Sequence, residues 1–235
     1  MKIRIIIILI LSSFLNSQDV SVEKNYKLIV DGYKHSFLKY PGNTFFISGS
    51  IGALAFYKYD NKIQNWFSKN KILPGQINKF ADNYGNKYSL LVVLATTGLH
   101  SLKSQFRSEF EYAFITLACN GFSTIILKEM IGRQRPNGKD HRSFPSGHVS
   151  HSFTSATVLN EVFGWRYGTG AYALAVLVAI NRMQDNKHYL SDVIFSSGLG
   201  TAFGLGFSNL YFKKDRKLKI SIYPSKMEMT YLLNT

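Results

Sequence analysis

Lys128, Arg135 and Arg182 are three cations set in short segments that also carry His148, His188 and Asp192. This set of residue types suits phosphate. Arginine offers a planar fork to two oxygens, and lysine a point charge. The run from Ser143 to His148 opens an apolar stretch of helical character, with Ser143 expected as N-cap and Pro145 in the first turn. The backbone N–H groups of Ser146 and Gly147 would then stand free at the positive end of that helix and receive an anion. Gly147 admits close backbone approach, and His148 sits where it could protonate a leaving oxygen. His188 and Asp192 are four residues apart and share a face at a helix start. The carboxylate is expected to accept from one imidazole nitrogen, leaving the other free to attack phosphorus.

The three segments, taken in order, resemble the signature of the type 2 phosphatidic acid phosphatase superfamily. That signature reads Lys-x6-Arg-Pro, then Pro-Ser-Gly-His, then Ser-Arg-x5-His-x3-Asp. Lys128 with Arg135 and Pro136 fits the first part, Pro145 to His148 the second, and Arg182, His188 and Asp192 the third. Asn181 departs from the pattern, standing where it has serine; a side chain that can still hydrogen-bond predicts little loss. The motifs cover residues 128–192, and the helix pattern extends the likeness over 41–212. The resemblance implies an all-α fold and a reaction with no metal or other cofactor. It implies that Lys128, Arg135 and Arg182 bind the phosphoryl oxygens, and that Ser146 and the Gly147 amide complete the cradle. His188 would attack, Asp192 would orient it, and His148 would act first as acid and then to activate water. The function implied is hydrolysis of phosphate monoesters or diphosphates of a lipid or related amphiphile through a phosphohistidine. A soluble periplasmic acid phosphatase of broad specificity is the alternative. A vanadate-dependent haloperoxidase shares the same superfamily and cradle and is the more remote one.

Other candidates take structural readings. Arg133 falls outside the signature and is expected as a solvated neighbour. Lys187 suits a helix C-terminus. His148 and His151 are three residues apart, but no third ligand has metal-site spacing. His35, His100 and His141 match no motif. Cys119, the single cysteine, excludes an intramolecular disulfide and reads as a small buried hydrophobe.

The elements that must position these residues are legible as six stretches without Asp, Glu, Lys or Arg: 41–57, 88–102, 112–127, 143–160, 167–181 and 193–212. They lack strict alternation and predict a bundle of six helices. After them, 217–223 and 227–232 alternate and predict a short hairpin-like tail. The expected organisation is a signal peptide over 1–17, an N-terminal region with the first core helix over 18–85, a catalytic core over 86–212 and a tail over 213–235. Lys2 and Arg4 before an apolar run of about 11 residues carry the signal-peptide expectation.

The composition, with 46% hydrophobic and 18% charged residues, is that of a folded chain. A net charge of +14 favours anionic partners. The basic residues are scattered and no nucleic-acid-binding motif occurs, so a phosphorylated lipid or small molecule and an acidic membrane surface are the expected partners, not nucleic acid. Mean hydropathy is −0.04, and of the six stretches only 193–212 has the length of a span. Fourteen Tyr and eighteen Phe suit interfacial placement. The expected location is the cell membrane with an outward-facing site, or the periplasm.

Overall fold

In a computed structural model of the chain, residues 22–104, 107–212, 216–223 and 226–233 are described, with side chains over 26–102 and 108–212. The leader expected over 1–17 lies outside the described residues. Each uncharged stretch forms a helix: α2 (Gly42–Tyr57), α5 (Ser89–Ser104), α6 (Arg107–Ile131), α7 (Gly147–Phe163), α8 (Trp165–Gln184) and α9 (Leu190–Phe212). The expected count of six is too low. Helices α1 (Val22–Phe37), α3 (Asp60–Lys69) and α4 (Gly75–Asn83) also form. They were missed because charge-free runs mark helices that are apolar all round, whereas short amphipathic helices keep their charges on one face. Helix α3 buries Asp60, Gln64 and Phe67, spaced along one face. The link between α4 and α5 is also helical: α4 widens into a π-helical turn, Tyr84–Tyr88, and runs on into α5.

Helix α9 is the axis of the fold, packed by α1, α2, α6 and α7. Small residues let the backbones approach. A Cβ on Gly198 would come within 2.7 Å of the Phe45 carbonyl oxygen and 2.8 Å of the Gly49 Cα, so α2 and α9 touch main chain to main chain there. Phe203 and Phe207 are fully buried on α9, and Tyr112 of α6 donates to the Gly204 carbonyl at 2.7 Å. Among the described residues two helices, over Ser108–Ile131 and Leu190–Phe212, are long and apolar enough to cross a membrane. The first exceeds its uncharged stretch because the helix continues through Lys128 to Ile131. Strands β1 (Arg216–Tyr223) and β2 (Lys226–Leu233) pair antiparallel, with Ile220 opposite Met229.

Candidate functional site

The motif residues come from two chain links, and from the helix ends that flank them, at one end of the bundle. Helix α6 ends at Ile131, and Gly132 at φ +57° turns the chain away. The link that follows is pinned by its own backbone: the Ser143 amide donates to the Arg133 carbonyl at 2.9 Å, and Arg135 to that of Asp140 at 2.9 Å. Asn137 reaches across to the α8–α9 link, donating to the Asn186 carbonyl at 3.1 Å. Lys128, in the last turn of α6, points its ammonium into this link. It donates to the Arg142 carbonyl at 2.8 Å and to that of Pro145.

Helix α7 begins later than expected. Gly147 is its first residue, and Ser146, in extended conformation, occupies the cap position without a side-chain capping bond. Pro145 precedes the helix after a cis bond from Phe144. Ser143 does not cap. Its hydroxyl donates instead to Asp192 Oδ2 at 2.5 Å. The Ser146 amide is not free either, since it donates to Ser196 Oγ at 2.7 Å. The Ser146 hydroxyl is buried with no hydrogen-bond partner among the described residues, a group a ligand oxygen would satisfy. The Gly147 Cα faces the Lys128 side chain, with an added Cβ 4.0 Å from its Cε.

His188 lies in the α8–α9 link and is 2% exposed. Its Nδ1 is 2.5 Å from the Ser143 carbonyl oxygen but 3.8 Å from Asp192 Oδ2. The expected direct bond between His188 and Asp192 is therefore not made: Ser143 intervenes, donating from its hydroxyl to Asp192 and accepting at its carbonyl from His188. A carbonyl can only accept, so Nδ1 carries the proton and Nε2 the lone pair. Nε2 faces Arg135, whose Nη1 is 3.4 Å away and also donates to the Lys187 carbonyl at 3.2 Å. Burial, chiefly, holds the His188 imidazole down at about 4, and it holds the His148 imidazole at about 4 as well, helped by Lys187, Lys128 and Arg135.

Arg182 is also brought to this end, but its guanidinium is already occupied. It is 2% exposed, donates to Asn181 Oδ1 at 2.7 Å and pairs with Asp82. Asn181 therefore has a job at the position where it departs from the signature. Its oxygen accepts from Arg182 while its nitrogen donates to Asn78 Oδ1 at 2.7 Å. Lys187 lies beyond the end of α8, its Nζ 3.4 Å from both Asp82 and Asp185. Arg133 is not a solvated neighbour. It bonds Asp192, Ser191 and Asp60 and is 17% exposed. Sequence reasoning missed Ser143 as a bridge, Arg133 as a bridge, Asp60 and Asp82. For Asp60 the available signal was its place on one face of α3 with Gln64 and Phe67. His100 lies 2.5 Å from Glu109, and Cys119 is buried.

A cavity of about 880 Å³ lies between the α4–α5 segment and helices α7 and α8. Its walls are apolar and aromatic, including Tyr84, Tyr88, Leu99, Phe163, Tyr167 and Leu174. Gly85, next to Tyr84, packs on His148: an added Cβ would lie 3.2 Å from the His148 Cβ. The wall of the cavity thus continues to the candidate acid.

Residues 109–216 match the family model described as the PAP2 superfamily. A lipid A 1-phosphatase of Porphyromonas gingivalis is 36% identical over 37% of this chain and 21% of its own length. A lipid A 1-phosphatase of Rhizobium johnstonii is 33% identical over 42% of this chain and 45% of its own, and a lipid A 4'-phosphatase of Helicobacter pylori 26% over 39% and 44%. The chain thus spans less than half the length of these relatives. Among solved structures, a transmembrane PAP2-type phosphatidylglycerolphosphate phosphatase from Bacillus subtilis superposes with TM-score 0.60 at 20% identity, over 72% of this chain and 95% of that one. LpxE of Aquifex aeolicus superposes with TM-score 0.53 at 20% identity, over 65% and 96%. These two likenesses are of fold.

Proposed function

Since residues 109–216 belong to the PAP2 superfamily, we propose that this chain is a phosphatase that hydrolyses phosphate monoesters or diphosphates of a lipid, with His188 as nucleophile. The observation that carries it is the His188 imidazole, locked with its proton toward Ser143 and its Nε2 lone pair toward Arg135. In this reading Nε2 forms a bond to phosphorus as the ester P–O bond breaks. His148 gives the departing oxygen its proton, then takes one from water, which attacks phosphorus and releases His188. Lys128, Arg135 and Arg182 hold the phosphoryl oxygens, with the Ser146 hydroxyl and Gly147 amide; no metal or other cofactor is needed to balance the charge. Asp192 acts on His188 through Ser143. These residues fall within the expected core, 86–212, though that boundary cuts the π-helical turn, and Asp60 and Asp82 lie before it.

The lipid part rests on two features. The apolar cavity, whose wall residue Tyr84 adjoins the Gly85 that packs on His148, suits an acyl chain. Large apolar residues such as Ile51, Leu54, Leu91, Phe122 and Met130 are exposed around the bundle, as for a surface facing acyl chains. Helix α6 ends and α9 begins at the site, so with both in a bilayer the site lies at one membrane face. The leader expected over 1–17 supports the reading that this face lies outside the cytoplasm. The names of the relatives make lipid A the first lipid to try.

Phosphate release from purified protein tests this on lipid A, phosphatidylglycerophosphate, phosphatidic acid, isoprenyl diphosphate and a soluble sugar phosphate. Preference for a lipid is expected. Equal turnover of soluble esters by protein recovered without detergent points instead to a soluble acid phosphatase.

A further inference from the structure

Arg133 makes the strongest set of contacts to the site's carboxylate, yet it lies outside the motif that suggested the site. Its Nη1 donates to Asp192 Oδ1 at 2.6 Å and to Ser191 Oγ at 2.8 Å, and its Nη2 donates to Asp60 Oδ2 at 2.8 Å. The guanidinium lies 4.9 Å from the Tyr57 ring centre and 4.1 Å from that of Tyr189. Ring faces and two carboxylates leave this fork one orientation. Asp60 is itself buried and fixed, accepting from the Ser191 amide at 2.9 Å.

Asp192 is wholly buried, and a lone carboxylate there would take up a proton rather than stay charged. Arg133 supplies the opposite charge. With Oδ1 held by Arg133, Oδ2 is left to accept the Ser143 hydroxyl at 2.5 Å and the Tyr189 amide at 2.9 Å. The same Ser143 offers its carbonyl to His188 Nδ1. The chain of contacts therefore runs from Asp60 through Arg133, Asp192 and Ser143 to His188.

We propose that Arg133, fixed by Asp60, is a positioning residue that sets the tautomer and direction of the His188 imidazole through Asp192 and Ser143. The proposal rests on the phosphatase reading for its consequence in catalysis, but the geometry of His188 can be followed without turnover. A purely structural staple between α3 and α9 would change stability and leave the imidazole as it is.

The test uses the full chain in detergent with ¹⁵N-labelled histidine, the His188 signals being assigned with His188→Gln. In the wild type at neutral pH, His188 shows a single tautomer protonated at Nδ1. In Arg133→Gln and in Asp60→Asn, a mixture of tautomers is expected, with kcat on the preferred lipid phosphate lowered about tenfold or more and KM within about threefold. Arg133→Lys, which keeps the charge but not the fork, falls between. Asp60→Asn preserves shape and carries the test should Arg133→Gln not fold. A folded variant with the wild-type His188 signals and kcat within about twofold of wild type overturns the proposal. A wild-type protein inactive on every ester, but with the expected tautomer change in the variants, supports positioning and overturns the phosphatase reading instead.

Discussion

The Ser143 carbonyl oxygen lies 2.5 Å from His188 Nδ1, while the carboxylate of Asp192 stands 3.8 Å off, beyond hydrogen-bond reach, and accepts from the Ser143 hydroxyl. Peptide carbonyls do not titrate, so this bond keeps the proton on Nδ1 across a wide pH range. In the proposed mechanism the carboxylate acts one contact further out, where it can orient without taking the proton.

His188→Ala removes the group proposed to form the bond to phosphorus. Turnover is expected to fall by at least about a thousandfold, with helical content unchanged by circular dichroism. A variant keeping more than about a tenth of wild-type kcat rules out His188 as nucleophile.

Ser143→Ala and Asp192→Asn separate the two halves of the bridge. Alanine keeps the carbonyl that holds His188 and loses only the hydroxyl bonded to Asp192. A bond to a charged group contributes about 1.5–3 kcal/mol, so a loss of about ten- to a hundredfold in kcat is expected. Asp192→Asn also breaks the ion pair with Arg133 and should cost more. A Ser143→Ala variant with wild-type kcat at saturating substrate, beside an impaired Asp192→Asn, would mean that Asp192 acts on His188 directly.

The pH profile follows from the two imidazoles. Burial places both His188 and His148 at about 4, so both are neutral at pH 7. A neutral His188 is required for attack, so kcat/KM should fall as the pH drops through about 4. His148 must carry a proton in the complex, and a phosphate monoanion can bring it. The second phosphate pKa is about 6, so kcat/KM should also fall above about 6. A bell between these limits is expected, and a profile flat to pH 8 contradicts the roles given to the two histidines.

Asp82 pairs with both Arg182 and Lys187. If Arg182 binds phosphate, this carboxylate competes with the substrate. Asp82→Asn is then expected to lower KM, and the inhibition constant of inorganic phosphate, by about three- to tenfold, with kcat little changed. A raised KM would show that Asp82 holds Arg182 in place instead.

Cations and amides, not a metal, are given the work of holding the phosphoryl group. EDTA should therefore leave the rate unchanged, while orthovanadate, which takes a five-coordinate geometry, should inhibit. Loss of activity in chelator, restored by Mg²⁺ or Zn²⁺, would overturn the mechanism.

The sequence alone determined the helices that are apolar along their whole length and the identity of the chemical groups. Each charge-free run contains a helix, and the spacing of Lys128, Arg135, His148 and His188 picked out candidate groups, of which Arg135 and His188 lie side by side. Both signals are local: one is a run of residue types, the other a fixed count between them. Tertiary structure alone decided the partners. Asp60 lies 132 positions before Asp192, and Asp82 lies 100 before Arg182; no periodicity links such pairs. A four-residue spacing permits His188 and Asp192 to bond, but the link that brings Ser143 between them places a nearer acceptor there. Arg133 read as solvated because a lone arginine usually is. Its role appeared only when the fold buried two carboxylates around it, since a buried charge must find its opposite wherever the chain has carried it.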